Sequence, residues 1–137
     1  SIAERLITAT LQYFPHATIR RTLLDSGPGQ GICCLARVGF AQTREMFSCF
    51  GEIGVTAETL ARRLCQQIKH LLASQAAVSH HLADQMLLPL ALHRGGTFSM
   101  LKPDAHFVTN RETILSFLPD TSIQAEANDA MHVVRVS

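Results

Sequence analysis

The sequence predicts an α+β fold, and three observations carry that expectation. Apolar residues recur at helical spacing in several segments, short alternating or β-branched runs lie between them, and Gly, Pro, Asn and Asp punctuate the joints. The order reads α-β-β-β-α, then α-β-α-β-β, with no long-period repeat and no low-complexity segment. The 137 residues carry 12 Lys plus Arg against 11 Asp plus Glu. That near-neutral balance argues against a binder of nucleic acid driven by charge alone. Apolar residues make up 47% and charged residues 17%, against a typical charged share of roughly 25%. This excludes disorder. It also makes the chain greasy for a free-standing small domain, whose high surface per volume normally calls for more charge.

Residues 2–14 form the first predicted helix, with Ile2, Leu6, Ala9 and Tyr13 on one stripe and Ile7, Leu11 and Phe14 on the next; Pro15 ends it. Residues 18–24 read as a strand, and 25–31, containing Gly27, Pro28, Gly29 and Gly31, as a turn cluster. Two β-prone runs, 32–38 and 44–50, form a hairpin with a wide loop around Gly39. Thr56 caps a helix over 57–73, with Leu60, Leu64, Ile68, Leu71 and Leu72 as its apolar face. The small-residue stretch 74–79 is the best place for a domain boundary. A second helix over 80–92 contains Pro89, which removes one backbone bond and should kink it. After Gly95 and Gly96, residues 97–101 form a short strand. Thr109 and Glu112 have capping-box spacing for a helix that ends near Leu118, before Pro119. Residues 122–127 and 131–136 alternate and meet at Asn128-Asp129 as a closing hairpin. The second block thus has three strands and two helices, and a fourth strand before His80 would complete its layer more naturally.

No apolar run reaches the ~18 residues of a membrane span, and no basic segment with a cleavage site follows Ser1, so neither membrane nor signal peptide is expected. Cys33, Cys34, Cys49 and Cys65 contain no C-x-x-C pair and read as buried free thiols of a reducing compartment, the cytoplasm by default. Adjacent Cys33 and Cys34 should face opposite sides of a strand.

Four motifs bear on chemistry. The Gly27-to-Gly31 loop lacks the Lys, the Ser or Thr and the following helix of a phosphate cradle, so it reads as a plain connection. His80 and His81 are helical neighbours pointing about 100° apart, which is wrong for chelating one ion. Asp84 and Gln85 lie among apolar residues. They are either the solvated side of that helix or part of a nucleotide site, in which an amide reads a base edge and a carboxylate holds a hydroxyl or a metal ion. His106 precedes the Thr109 cap, where the positive end of a helix dipole favours a neutral imidazole, the form that can attack phosphorus. A histidine simply satisfied within its loop is the other reading.

His81-Leu82-Ala83-Asp84-Gln85-Met86-Leu87-Leu88-Pro89-Leu90-Ala91-Leu92, then Gly95-Gly96, then Lys102-Pro103-Asp104-Ala105-His106-Phe107-Val108-Thr109-Asn110 closely resemble the RNA 3′-terminal phosphate cyclases. Gly27-Pro28-Gly29 and the helix after Thr56 are also similar to that family's pattern. The resemblance implies an ATP-dependent enzyme that converts an RNA 3′-phosphate end to a 2′,3′-cyclic phosphate with help from a divalent metal ion, Mg or Mn. The family's nucleophilic histidine, which becomes adenylylated, matches His106; its nucleotide-binding segment matches His81, Leu82, Ala83, Asp84 and Gln85. No metal ligand is matched. The resemblance further implies that residues 1–77 are the later part of a small α/β insert domain. Residues 78–137 would be the remainder of the last βαβαββ repeat, lacking its first strand.

Cyclases begin with a glycine-rich segment and arginine-bearing motifs that nothing in this chain matches. The expectation is therefore a C-terminal portion whose partners are RNA 3′-phosphate ends, ATP and the missing N-terminal part, and which is inactive alone. A non-catalytic cyclase-like module of ribosome assembly and an inert truncated fragment are the competing expectations. The non-catalytic branch lacks the nucleophile, so His106 favours the enzyme.

Overall fold

The computed structural model describes residues 1–24, 29 and 31–137. In chain order the elements are α1 (Ile2–Tyr13), β1 (Cys33–Gly39), β2 (Arg44–Phe50), α2 (Ala57–Ala73), α3 (His80–Leu92), β3 (Gly96–Met100), α4 (Ala105–Phe117), β4 (Ile123–Asn128) and β5 (Met131–Val136). The mixture is α+β, as expected from the sequence. Packing divides the chain into two units: Ser1–Gly39 with Met46–Lys69, and Phe40–Glu45 with His70–Ser137. No helix among the described residues is long and apolar enough to cross a membrane.

In the first unit, α1 opens with a capping box, in which the Ser1 hydroxyl accepts the Glu4 N–H at 3.2 Å and the Glu4 carboxylate reaches back. Helix α2 starts where Thr56 predicts, with the Thr56 hydroxyl accepting the Thr59 N–H at 3.2 Å. Leu60, Ala61, Leu64, Cys65 and Ile68 of α2 are buried, as is Ala9 of α1. Arg5 donates to both carboxylate oxygens of Glu58, at 2.8 and 2.7 Å, and this pairing holds the exposed Glu58 carboxyl down at about 2. Strands β1 and β2 make a two-stranded sheet. Their exposure alternates, so Cys33 is exposed and Cys34 half-buried on opposite faces. Of the four thiols only Cys65 is buried, which corrects the expectation of a wholly buried set.

The strand expected over 18–24 is not formed. Those residues carry no ladder, and Ile19, Leu23 and Leu24 are exposed. β-prone side chains make a strand only where a partner backbone takes up their N–H and C=O groups, and no described strand does so here. The glycine-proline cluster, apart from Gly29 and Gly31, lies outside the described residues.

The second unit contains a three-stranded sheet in the order β3-β5-β4, antiparallel throughout. Phe98, Val134 and Ala125 share one register row, and Gly96, Val136 and Ile123 another. The strand wanted before His80 is reduced to a single bridge. Val78 pairs parallel with Met100, its N–H donating to Ser99 O at 3.2 Å and its carbonyl accepting from Leu101 N at 3.3 Å. Val78, Ala83, Leu87, Phe98, Met100, Phe107, Ile114, Ile123, Val134 and Val136 form the core, so one face of the sheet is covered by α3 and α4. The hairpin closes at Asp129 and Ala130, with Asn128 opposite Met131; Asp129 takes a φ of 51°, which a short polar side chain tolerates.

Two local devices anchor α3. At its start, Ser79 occupies the N-cap, its carbonyl accepting the Ala83 N–H at 3.0 Å while its side chain does not cap the helix. Its N–H, at 3.0 Å, and its hydroxyl both donate to the buried Glu45 carboxylate, which thereby sits at the positive end of α3. The helix then runs through Pro89 to Leu92, and Gly95, at φ 71°, turns the chain into β3. A Cβ on Gly95 would run into the Val136 carbonyl oxygen as well as straining that φ.

Gly95→Ala is therefore expected to destabilise the protein by about 2 kcal/mol or more. A urea titration would read this as a lower unfolding midpoint; an unchanged midpoint would show that the β5 end yields freely.

Candidate functional site

Helix α4 begins at Ala105, five residues before the start that a Thr109 cap with Glu112 suggests. Asp104 is the cap, its carboxylate oxygen accepting the Phe107 N–H at 2.9 Å. Thr109 lies inside the helix, where its carbonyl accepts from the Thr113 hydroxyl at 2.9 Å. Two N-terminal signals compete in this stretch, and burial decides between them. Phe107 is completely buried in the core, a position it reaches only if the helix is already formed there. His106 is consequently the second residue of a helix rather than part of the loop before one. It is exposed, among backbone N–H groups that the helix leaves without internal partners.

Asp84 approaches the same place from α3. Ala83 and Leu87 are fully buried, which puts Asp84 at the edge of the packed face, half-buried. Its Oδ1 is fully shielded from solvent and has no hydrogen-bond partner among the described residues. Its main-chain carbonyl accepts the Asn110 side-chain N–H at 2.9 Å, tying α3 to α4 at this level. Asp84, Ala105, His106, Thr109 and Asn110 line one shallow, open cleft of about 500 Å³.

Of the five residues proposed from the sequence to hold nucleotide, the structure brings Asp84 to the cleft with His106. His81 and Gln85 are exposed on α3 and are not among the lining residues, Leu82 packs against the core and Ala83 is inside it. Thr109 and Asn110 are the residues that sequence reasoning missed as site members. The spacing of His106, Thr109 and Asn110 at i, i+3 and i+4 marks one helix face, but only once the helix is started at Ala105.

Other polar groups are less suggestive. His80 Nδ1, Arg111 Nε and His132 Nδ1 are also shielded without partners among the described residues. No group of three His, Cys, Asp or Glu able to hold a metal ion occurs among the described residues. A smaller cleft in the first unit, about 280 Å³, is lined by Ser1, Glu4, Gln12 and the Arg5–Glu58 pair, whose charges are spent on each other. Burial, together with the neighbouring Cys49, pushes the Cys34 thiol up to about 12, which suppresses the reactive thiolate.

No protein-family model matches the chain. Curated relatives do. It is 37% identical over 136 residues to a Salmonella enteritidis protein named RNA 3′-terminal phosphate cyclase, covering 99% of this chain and 40% of that protein. A protein of the same name from Ectopseudomonas mendocina is 36% identical over 116 residues, 85% of this chain and 34% of the relative. A third, from Salmonella heidelberg, is 39% identical over 111 residues, 81% and 31% respectively. The chain thus spans about 40% of the length of the first of these relatives.

The identity of the α4 cap can be tested by removal. Asp104→Ala is expected to lower stability by about 1 kcal/mol, read by urea unfolding. Thr109→Ala should cost less than half of that, and the reverse ranking would restore Thr109 as the cap.

Proposed function

Starting from a chain that is homologous along its whole length to RNA 3′-terminal phosphate cyclase, we propose that it carries the nucleotidyl-transfer centre of an ATP-dependent enzyme of that kind. The enzyme would convert an RNA 3′-terminal phosphate to a 2′,3′-cyclic phosphate. The observation that supports this reading best is the placement of His106 at the second position of α4, in one cleft with Asp84. His106 is the nucleophile, and the segment His81, Leu82, Ala83, Asp84 and Gln85 is the nucleotide-binding stretch, with Leu82 and Ala83 serving it from the core.

The reaction divides into three displacements. The imidazole attacks the α-phosphorus of ATP, a P–N bond forms, and the bond to the leaving oxygen breaks to release pyrophosphate. The adenylyl group then passes to the RNA 3′-phosphate, freeing His106. Finally the neighbouring 2′-hydroxyl attacks that phosphorus, loses its proton and expels AMP. A covalent histidine replaces one difficult condensation by easier steps. The exposed N–H groups at the start of α4 offer donors to the phosphoryl oxygens as charge builds on them. No three side chains that could cage a divalent ion by themselves converge among the described residues, so such an ion would arrive with the ATP phosphates as ligands; none of these steps is routed through one.

The chain aligns with two fifths of its relative, so contacts to RNA and to the outer phosphates are assigned to sequence matching the remainder. Positioning is worth orders of magnitude in such transfers, and we expect the chain alone to react slowly or not at all. The test is labelling with α-³²P-ATP and Mg or Mn, using the chain joined to the unmatched part of the Salmonella relative. Acid-labile label should appear on the protein and vanish in His106→Ala, and label that persists in His106→Ala would contradict the assignment. A complete failure to label with the joined protein would favour a non-catalytic module.

A further inference from the structure

An unpartnered carboxylate oxygen shielded from water is expensive to keep, because it has given up solvent and received nothing in return. Asp84 Oδ1 is such an atom among the described residues, and Asp84 lines the same cleft as His106. The donors facing that cleft are few. The Asn110 amide is committed, at 2.9 Å, to the main-chain carbonyl of Asp84 itself. The hydroxyls of Thr113 and Ser116 bond the carbonyls four residues back at 2.9 Å, and the same position within the helix is open to the Thr109 hydroxyl by rotation about χ1. The exposed ring of His106 remains, one turn before Asn110 on the same face of α4 and free to rotate about χ1.

We propose that Asp84 is a positioning residue for His106: its carboxylate accepts the Nδ1–H of the imidazole, which fixes the ring and leaves Nε2 bare as the attacking nitrogen. This rests on the reading of His106 as the nucleophile. An imidazole has one bare nitrogen when neutral, and which one it is depends on the bond that the other makes. With Nδ1–H held by Asp84, the Nε2 lone pair forms the bond to phosphorus while the bond to pyrophosphate breaks. The proton stays on Nδ1 throughout, and the carboxylate offsets the positive charge that the ring gains. Asn110 serves the arrangement at one remove, by pinning the turn of α3 that carries Asp84 to the helix that carries His106.

The tautomer can be read without any catalysis. Imidazole ¹⁵N resonances of the nucleotide-free protein, recorded above the titration range of the ring and assigned to His106 by their loss in His106→Gln, report which nitrogen is protonated. The wild type should show Nδ1 protonated and Nε2 bare. Asp84→Ala should move the protonated signal to Nε2, the form that dominates in free side chains. If Asp84→Ala does not fold, as judged by its backbone amide spectrum, Asp84→Asn serves instead and should give a mixture of the two forms. Protonated Nε2 in the wild type, or an unaltered Nδ1–H after either substitution, overturns the proposal.

In the joined protein, loss of Asp84 should slow formation of the labelled species by on the order of a hundredfold or more. The two readings fail separately. A wild type with the expected tautomer that never takes label sinks the nucleotidyl-transfer reading and leaves the positioning intact. Label formed through His106 while Asp84→Ala leaves the tautomer unchanged sinks the positioning alone.

Discussion

Everything in the candidate site depends on the burial of Phe107. Its side chain is completely enclosed by the core of the second unit, a contribution of about 1.5–3 kcal/mol for an aromatic or aliphatic residue of that size. Helical geometry then leaves no freedom in its neighbours. With Phe107 and Ile114 inward, His106 and Asn110 must fall on the flank of that buried face, where Asn110 meets α3, and the Asp104 cap fixes how many residues precede them. A shift of one residue in this phase would drive the imidazole into the core and bring Phe107 out to water. The cost of exposing the phenyl ring is thus what holds the imidazole in place.

The partner helix is set by a different kind of contact. Ala83 and Leu87 give α3 its buried face, but its start is fixed by polar groups: the Glu45 carboxylate on Ser79, and the Val78 bridge to Met100. A buried carboxylate needs such partners, and the helix N-terminus supplies one through the Ser79 N–H. Asp84 stands one turn further on, at the boundary between packed and open surface. There its main-chain carbonyl is satisfied by Asn110 while Oδ1 has no protein partner among the described residues. Its placement follows from stability, and its unmet hydrogen bond is what makes it chemically interesting.

Much of the architecture could be read from local pattern. The helices at Ile2–Tyr13, Ala57–Ala73 and His80–Leu92 carry apolar stripes with start or stop residues at their ends, and the hairpin after Ile123 carries clear alternation. What could not be read is what depends on distant partners. Residues 18–24 have strand-forming side chains but no neighbouring strand among the described residues. Asp104 and Thr109 both look like caps, and only the core position of Phe107 chooses between them. The site was legible to the same degree. His106 and Asp84 stand out once the cyclase-like motifs are recognised, whereas Asn110 and Thr109 stayed hidden because the start of their helix was misplaced. Leu82 and Ala83 sit in the same motif for another reason, since they pack α3 onto its sheet.

On the reading proposed above, the face shared by α3 and α4 at Asp84 and His106 receives the nucleotide. The most direct measurement is a titration of Mg-ATP into the ¹⁵N-labelled chain, followed through its backbone amide resonances. Shifts concentrated at Asp84, Gln85, Ala105, His106, Thr109 and Asn110, and reduced by Asn110→Ala, are the expected result. Shifts gathered instead around Arg5 and Glu58 in the first unit, or none at saturating ATP, would contradict it.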